Sequence, residues 1–140
     1  MGAKRTLFLT NAMVAFMIEH ALREYPREAC GLLGGRGEQV FEVRALRNVD
    51  ASPNTRYSID PEEQWRTFCD FEQRGWGLVG IYHSHPVGPS HPSETDIAES
   101  YYPDAVYFII SLARRETPEI TAWMIQGGRT EPARWQLRND

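Results

Sequence analysis

Apolar positions change period several times along this chain, and each change predicts an element. Residues 6–10 read as a short strand. From 11 to 24, Val14, Met17, Ile18, Ala21 and Leu22 recur at helical spacing, and Pro26 stops the helix. Residues 30–35 form an apolar run closed by Gly34-Gly35, a buried strand. From 38 to 47 the chain alternates, with Val40, Glu42 and Arg44 set against Phe41, Val43 and Ala45, which predicts a strand with one wet face. A polar turn fills 48–54, and 56–59 reads as another short strand.

Asp60-Pro61-Glu62-Glu63 has the form of a helix start: Asp60 caps, Pro61 suits the first helical position, and Glu63 falls where a capping-box acid belongs. This helix is expected to run to Gln73 and to bury Trp65, Phe68 and Cys69. Residues 77–82 are almost wholly apolar, as in a strand buried on both faces. Three prolines, Pro86, Pro89 and Pro92, keep the next segment from being helical, and Ser93 opens a third helix. Residues 106–112 form another buried strand, and 120–125 and 133–137 close the chain as strands around a Gly127-Gly128 turn. Helices and strands are mixed, so the expected class is α/β (α+β), a mixed β-sheet flanked by helices in a single domain, 1–140.

Composition narrows the partners. The chain has 140 residues, 41% hydrophobic and 24% charged, which suits one packed core and not a disordered segment. The net charge of −4, with no basic run, argues against nucleic acid as the main partner. No apolar run is long enough to span a bilayer, and the N-terminus lacks the apolar segment of a signal peptide, so a cytoplasmic protein with no membrane partner is expected. Met1 to Thr6 matches a loose myristoylation pattern but is read as a short tail before the first strand. Cys30 and Cys69 form no CxxC and are expected to be reduced thiols. The place of Cys30 in an apolar strand makes it core rather than a nucleophile.

The chemistry gathers between His83 and Asp96. His83 and His85 are two residues apart at the end of a buried strand, so both imidazoles point to one face and can meet one metal. The proline-rich loop can swing Asp96 back beside them, on the first turn of the third helix with Ser93. Two imidazoles and one carboxylate with an open fourth position suit a catalytic zinc better than magnesium or calcium, which favour oxygen. Each part also has a plainer explanation. A His-x-His on a strand is commonly surface polarity, and Ser93 with Asp96 forms a capping box. The two explanations are compatible, because a cap can fix a carboxylate's direction. His91, between prolines in the loop, is set aside as a ligand.

His83-Ser84-His85-Pro86, seven residues from His85 to Ser93, and then Asp96 together resemble the JAMM motif of the MPN-domain metalloproteases. Glu28 to Gly34, and the stretch from Asn48 through Ser52-Pro53 to Tyr57-Ser58-Ile59-Asp60-Pro61, resemble other blocks of the same family, so the likeness covers most of the chain. The resemblance implies a cytidine-deaminase-like mixed sheet, and one zinc ion (Zn2+) per chain held by His83, His85 and Asp96. It implies Glu28 as the general base that takes a proton from water and later gives it to the leaving amine. It implies Ser93 as a hydrogen-bond donor to the tetrahedral oxyanion. The deaminases' own His-x-Glu and Pro-Cys-x-x-Cys signature is absent, so deamination is not expected.

The resemblance further implies hydrolysis of a peptide or isopeptide bond after the C-terminal Gly-Gly of a ubiquitin-like protein. The chain has no second set of Cys and His residues and looks like the compact prokaryotic kind. That likeness implies a small sulfur-carrier protein of the ThiS/MoaD type as substrate, with either amino-acid release or general deconjugation as the reaction. A homodimer is permitted. Two other readings stay open on sequence: a metal-free MPN scaffold in an assembly, and a phage-tail or cell-wall peptidase.

Overall fold

The structure, a computed structural model, describes residues 5–139; Met1 to Lys4 and Asp140 lie outside the described residues, and most of the myristoylation-like segment lies with them. The elements in chain order are β1 (Thr6–Leu9), α1 (Asn11–Glu24), β2 (Cys30–Arg36), β3 (Gln39–Leu46), α2 (Pro61–Gln73), β4 (Gly77–His85), α3 (Glu94–Ala98), β5 (Val106–Ser111), β6 (Glu119–Gln126), β7 (Arg129–Pro132) and β8 (Arg134–Leu137). The strands join one mixed sheet in the order β7-β6-β5-β4-β2-β3-β1-β8. β4 pairs with β5 in parallel and β1 pairs in parallel with β3 and β8, while the other neighbours are antiparallel.

Gly127 and Gly128, both at positive φ, turn β6 into β7. The strand expected at 133–137 is present as β8 but is not the arm of that hairpin: β7 takes that place, and β8 pairs with β1, Leu7 opposite Trp135. β7 and β8 therefore sit at opposite ends of the strand order with only Ala133 between them. One residue spans at most about 3.6 Å, so the sheet curls until its two edges adjoin. The Ala133 amide donates to the Ala122 carbonyl at 2.9 Å, and the Trp135 indole donates to Ile120 O at 3.3 Å, which fastens the closure.

Two apolar clusters divide the faces. Met17 and Ala21 of α1 pack with Leu33, Tyr82 and Phe108 on one side, and Phe71 of α2 packs with Leu32, Ile81 and Tyr107 on the other, where Ile97 of α3 joins them. Leu22 and Trp65, placed by spacing among the buried residues, are 40% and 68% exposed. Leu22 follows buried Ala21 in sequence but lies about 100° around α1 from it; Trp65 is two residues before buried Thr67, roughly 160° around α2. Glu63 does not close a capping box either. Asp60 accepts from the Glu62 and Glu63 amides at 2.9 and 3.4 Å, while the Glu63 carboxylate accepts from Arg47 N at 2.7 Å and Nε at 3.1 Å.

Strict alternation in β3 fails for a similar local reason. The register with β2 shifts between Gly34 and Gly35, leaving Phe41 without a partner, so Val40 and Val43 both join the α1-side cluster. The segment 56–59 contributes one bridge, Asn48 to Ile59, and no strand. Its backbone is held by the Asn48 side chain, which donates to Arg56 O at 3.0 Å and accepts from Ser58 N at 3.0 Å.

Gly31 marks a close approach in the middle of the sheet. A Cβ there would lie 2.2 Å from Tyr82 Cε1 and 2.4 Å from Arg44 O, one of them backbone that cannot move aside. Gly31→Ala is expected to cost roughly 1–3 kcal/mol or more through overpacking. A thermal melt should show a midpoint several degrees lower; an unchanged midpoint would contradict the packing. Among the described residues no helix is long and apolar enough to cross a membrane.

Candidate active site

On the α2 face, three adjacent strands each run from apolar to reactive residues. β4 carries Ile81, His83 and His85 in alternation, β5 carries Tyr107, Ile109 and Ser111, and the β2 register sets Leu32 across from Ile81 and Cys30 across from His83. One more antiparallel step brings Glu28 opposite His85. Ser84 secures that step: its amide donates to Ala29 O at 3.0 Å, and its buried hydroxyl accepts from Ala29 N at 2.8 Å. The period of two that aims both histidines at one face thus aims Ser84 at the other, where it holds the Glu28 backbone in place. A serine between two site histidines in a buried strand was the available signal for this role.

Asp96 arrives from the other side. Ser93 caps α3, its Oγ accepting from Asp96 N at 3.0 Å, and Asp96 Oδ2 accepts in return from Ser93 N at 2.9 Å. The same Oδ2 lies 3.1 Å from His83 Nε2 and 2.9 Å from His85 Nε2, and the two Nε2 atoms are 3.1 Å apart. Among the described residues these three form a group whose donor atoms could share a metal ion. His91 stays outside it, with its ring tilted against Trp123 at 5.2 Å.

The donor chemistry tests whether a cation fits. Pro89 O accepts from His85 Nδ1 at 2.7 Å, and a carbonyl cannot donate, so Nδ1 carries the proton. With the proton on Nδ1, His85 Nε2 can take either a second proton or a cation, and together with His83 Nε2 and Asp96 Oδ2 it makes a set of two imidazole nitrogens and a carboxylate oxygen that one cation can bridge. Tetrahedral zinc with ligand distances of about 2.0–2.1 Å has ligand–ligand edges of roughly 3.3 Å, close to this spacing. The residues present therefore fit the metal.

Orientation of the two imidazoles has different sources. His85 is set by the Pro89 carbonyl, whereas His83, whose Nδ1 has no hydrogen-bond partner among the described residues, is stacked on Tyr57 with centroids 4.6 Å apart. The loop that carries Pro89 is itself fastened to the sheet. Ser111 donates to Gly88 O at 2.7 Å, and Thr121 and the Trp123 indole donate to Ser90 O at 2.6 and 3.2 Å. Ser90 in turn donates to Glu119 at 2.9 Å. Tyr57 and these anchors depend on tertiary packing and were not found from sequence.

Electrostatics separate the acids. Burial works against the Asp96 carboxylate, but hydrogen bonds from His83, His85 and the Ser93 amide hold it well below the usual carboxylate range. Glu28 is 5% exposed and its Oε1 has no hydrogen-bond partner among the described residues. Burial pushes its carboxyl up to about 8; His85 opposes the shift, and Asp96 and Asp50 add to it. Cys30, beneath the site, is pushed up to about 12, chiefly by burial and next by Glu28, which keeps it a thiol at neutral pH.

Two clefts of about 290 Å³ each flank the histidines. One is lined by Glu28, His85, Val87 and Ser93, and the other by Tyr57, Ile59, Tyr101 and Tyr107.

Residues 10–126 match Prok-JAB, the family of prokaryotic homologs of the JAB domain. The chain is 42% identical over 94 residues to a probable TtuB-protein conjugate cleaving protease of Thermus thermophilus, covering 67% of this chain and 63% of that protein, just under two thirds of its length. It is 37% identical over 122 residues to the CysO-cysteine peptidase of Mycobacterium tuberculosis, covering 86% of this chain and 80% of that one. A solution structure of a Desulfitobacterium hafniense protein superposes with a TM-score of 0.86 at 36% identity, covering 96% of this chain and 94% of that one. The crystal structure of a JAB1/MPN domain protein from Archaeoglobus fulgidus shares the fold, with a TM-score of 0.60 at 17% identity, covering 96% and 100%.

Proposed function

The chain belongs to the family of prokaryotic homologs of the JAB domain, and from that premise we propose that it is a zinc-dependent peptidase. Its reaction is hydrolysis of the peptide or isopeptide bond after the C-terminal Gly-Gly of a small ubiquitin-like carrier protein. One observation carries the reading: two imidazole Nε2 atoms and a carboxylate oxygen converge within 3.1 Å, beside a buried glutamate with one oxygen unpartnered among the described residues. The relatives' names support it, since a conjugate cleaving protease and a CysO-cysteine peptidase both break bonds to nitrogen.

In this reading His83, His85 and Asp96 hold one zinc, which when bound polarises the substrate carbonyl and makes water a usable nucleophile near neutral pH. Glu28 accepts a proton from water and returns it to the departing nitrogen. Its place suits the second task, because a buried carboxyl beside the metal-facing atoms can hold the proton out of water between the two events. Ser93 steadies the tetrahedral oxyanion. A hydroxyl has one donor and two acceptor sites, and the cap uses only an acceptor, so the O–H remains to donate. Helix cap and oxyanion donor therefore do not compete. Tyr57 keeps the His83 ring from rotating, and the Pro89 carbonyl fixes the His85 tautomer.

The direct test is metal removal. A carrier protein ending in Gly-Gly, joined through an amide to a lysine-containing peptide, should be cleaved by the zinc-loaded chain. Chelation should stop cleavage, and one equivalent of zinc should restore it. Equal cleavage by the chelated protein, measured by mass spectrometry, would sink the proposal.

A further inference from the structure

We infer that Asn48 is a positioning residue: its side chain fixes where Glu28 stands relative to His83 by bonding to the backbone on both sides of the site. The inference rests on the reading just given and deepens it, since this placement matters for rate only if Glu28 exchanges a proton beside the histidines.

Asn48 lies just beyond the end of β3, where an asparagine commonly turns the chain by accepting from the amide two residues ahead. Its Oδ1 does accept from Asp50 N at 3.0 Å. A turn needs only that bond, yet the side chain makes others. Oδ1 also accepts from Ser58 N at 3.0 Å, and Nδ2 donates to Glu28 O at 3.0 Å, Arg56 O at 3.0 Å and Pro53 O at 3.3 Å. Both acceptor sites and both protons of the carboxamide are thus engaged. The partners fix its orientation, because a flip would set Oδ1 against three carbonyls and Nδ2 against two N–H groups.

The bonds reach two parts of the site. Glu28 precedes β2, so the strand ladder does not hold its peptide groups. Its N–H donates to Pro53 O at 2.7 Å, and its carbonyl accepts from Asn48. Tyr57 is the other part. Arg56 O and Ser58 N belong to the peptide units on either side of Tyr57, so Asn48 grips that backbone at both ends. The Tyr57 ring then stacks on His83 at an interplanar angle of 23°. One side chain thereby links the base to an imidazole that faces the metal position.

The loop that carries Tyr57 has fastenings of its own. Val49 N donates to Ser58 O at 2.8 Å, Asp60 N to Arg47 O at 3.0 Å, and the Ser58 hydroxyl to Asp50 at 2.7 Å, while Arg56 pairs with Asp50 and Glu99. Removing the Asn48 donors therefore leaves the loop attached to the fold and releases the Glu28 carbonyl from it. Glu28 has to meet both the attacking water and the departing nitrogen within about 2.6–3.2 Å. A shift of about 1 Å in such a group costs on the order of a hundredfold in rate.

Two variants test this. Asn48→Asp keeps the size and the accepted bonds and removes the N–H donors, and Asn48→Ala removes both kinds without adding charge. Thermal melts set the assay temperature below each midpoint, so rates are read on folded protein. Loaded with zinc and given the Gly-Gly carrier substrate, each should lose about tenfold or more in kcat with KM held within about twofold, while elemental analysis finds zinc at one per chain. Added to Glu28→Gln, either substitution should lower the remaining rate by less than about threefold, because a base that is absent cannot be misplaced. A merely structural role lowers both backgrounds by the same factor, and that result would overturn the inference. An unchanged kcat in both variants, or loss of zinc in step with kcat, would overturn it too. Failure of the zinc-loaded parent to cleave the substrate would overturn the proposed function, and the inference with it.

Discussion

Glu28→Gln is expected to lower kcat by roughly a hundred- to ten-thousandfold, the usual worth of a positioned acid–base group, while zinc content stays at one per chain. The amide matches the carboxylate in size and leaves the Glu28 backbone bonds to Pro53 and Asn48 in place. What disappears is the exchangeable proton. The three metal-facing atoms are untouched, so elemental analysis and kinetics should part company in this variant. Full activity in Glu28→Gln would remove Glu28 from the mechanism, and loss of zinc would make it a support of the metal site instead.

The same substitution carries a pH signature. The ordinary value for this carboxyl is 4.5, and burial raises it to about 8 in the fold. Between those limits the folded chain binds more protons than the unfolded one, so this group's contribution to stability is complete below pH 4.5 and is lost as pH rises through about 8. The loss is a few kcal/mol, at roughly 1.4 kcal/mol per pH unit of displacement. Metal-free wild-type protein should therefore weaken from about pH 5 to pH 8 more than metal-free Glu28→Gln, which has no proton to lose. Denaturant melts at the two pH values decide this; parallel behaviour of the two proteins would mean that Glu28 is not desolvated in the native state.

What could be read from sequence was whatever local period controls. His83 and His85 share a face because a strand alternates, and Asp96 is aimed by a cap whose residues are three apart. Both rules act within a few residues, and the structure brings all three side chains together. Glu28 was named only by the family resemblance; its own neighbourhood in the sequence does not show it, because it reaches the site through the pairing of β2 with β4. The failures share a different cause. The partner of β8 is at the far end of the chain, the register shift in β3 depends on its pairing with β2, and the exposure of Trp65 depends on which side of α2 meets the sheet. None is encoded in a short window. Tyr57 and the Ser111, Thr121 and Trp123 anchors belong to the same class, since their roles arise from a loop folded onto strands that follow it.

Asp96 offers the sharpest separation of structure from chemistry, because one carboxylate oxygen faces both imidazoles and also closes the α3 cap. Asp96→Ala should abolish hydrolysis and leave zinc well below one per chain after dialysis. The affinity loss should exceed the roughly 10–100-fold typical of residues that merely support a ligand, since a ligand itself is gone. It also removes half of the capping box, a cost of about 0.3–1.5 kcal/mol. Asp96→Asn divides the two effects. Its amide oxygen can still accept from the Ser93 amide, so α3 should keep its start and the melt should stay near that of the metal-free parent. The negative charge opposite the imidazoles is absent, so zinc should still be lost. If Asp96→Asn binds zinc as tightly as the parent, the carboxylate serves the helix alone and the metal reading fails. If Asp96→Asn loses both zinc and helix stability in step with Asp96→Ala, the cap and the ligand cannot be assigned to separate properties of this side chain: the charge that draws the metal is then also what holds the first turn of α3 against the two histidines.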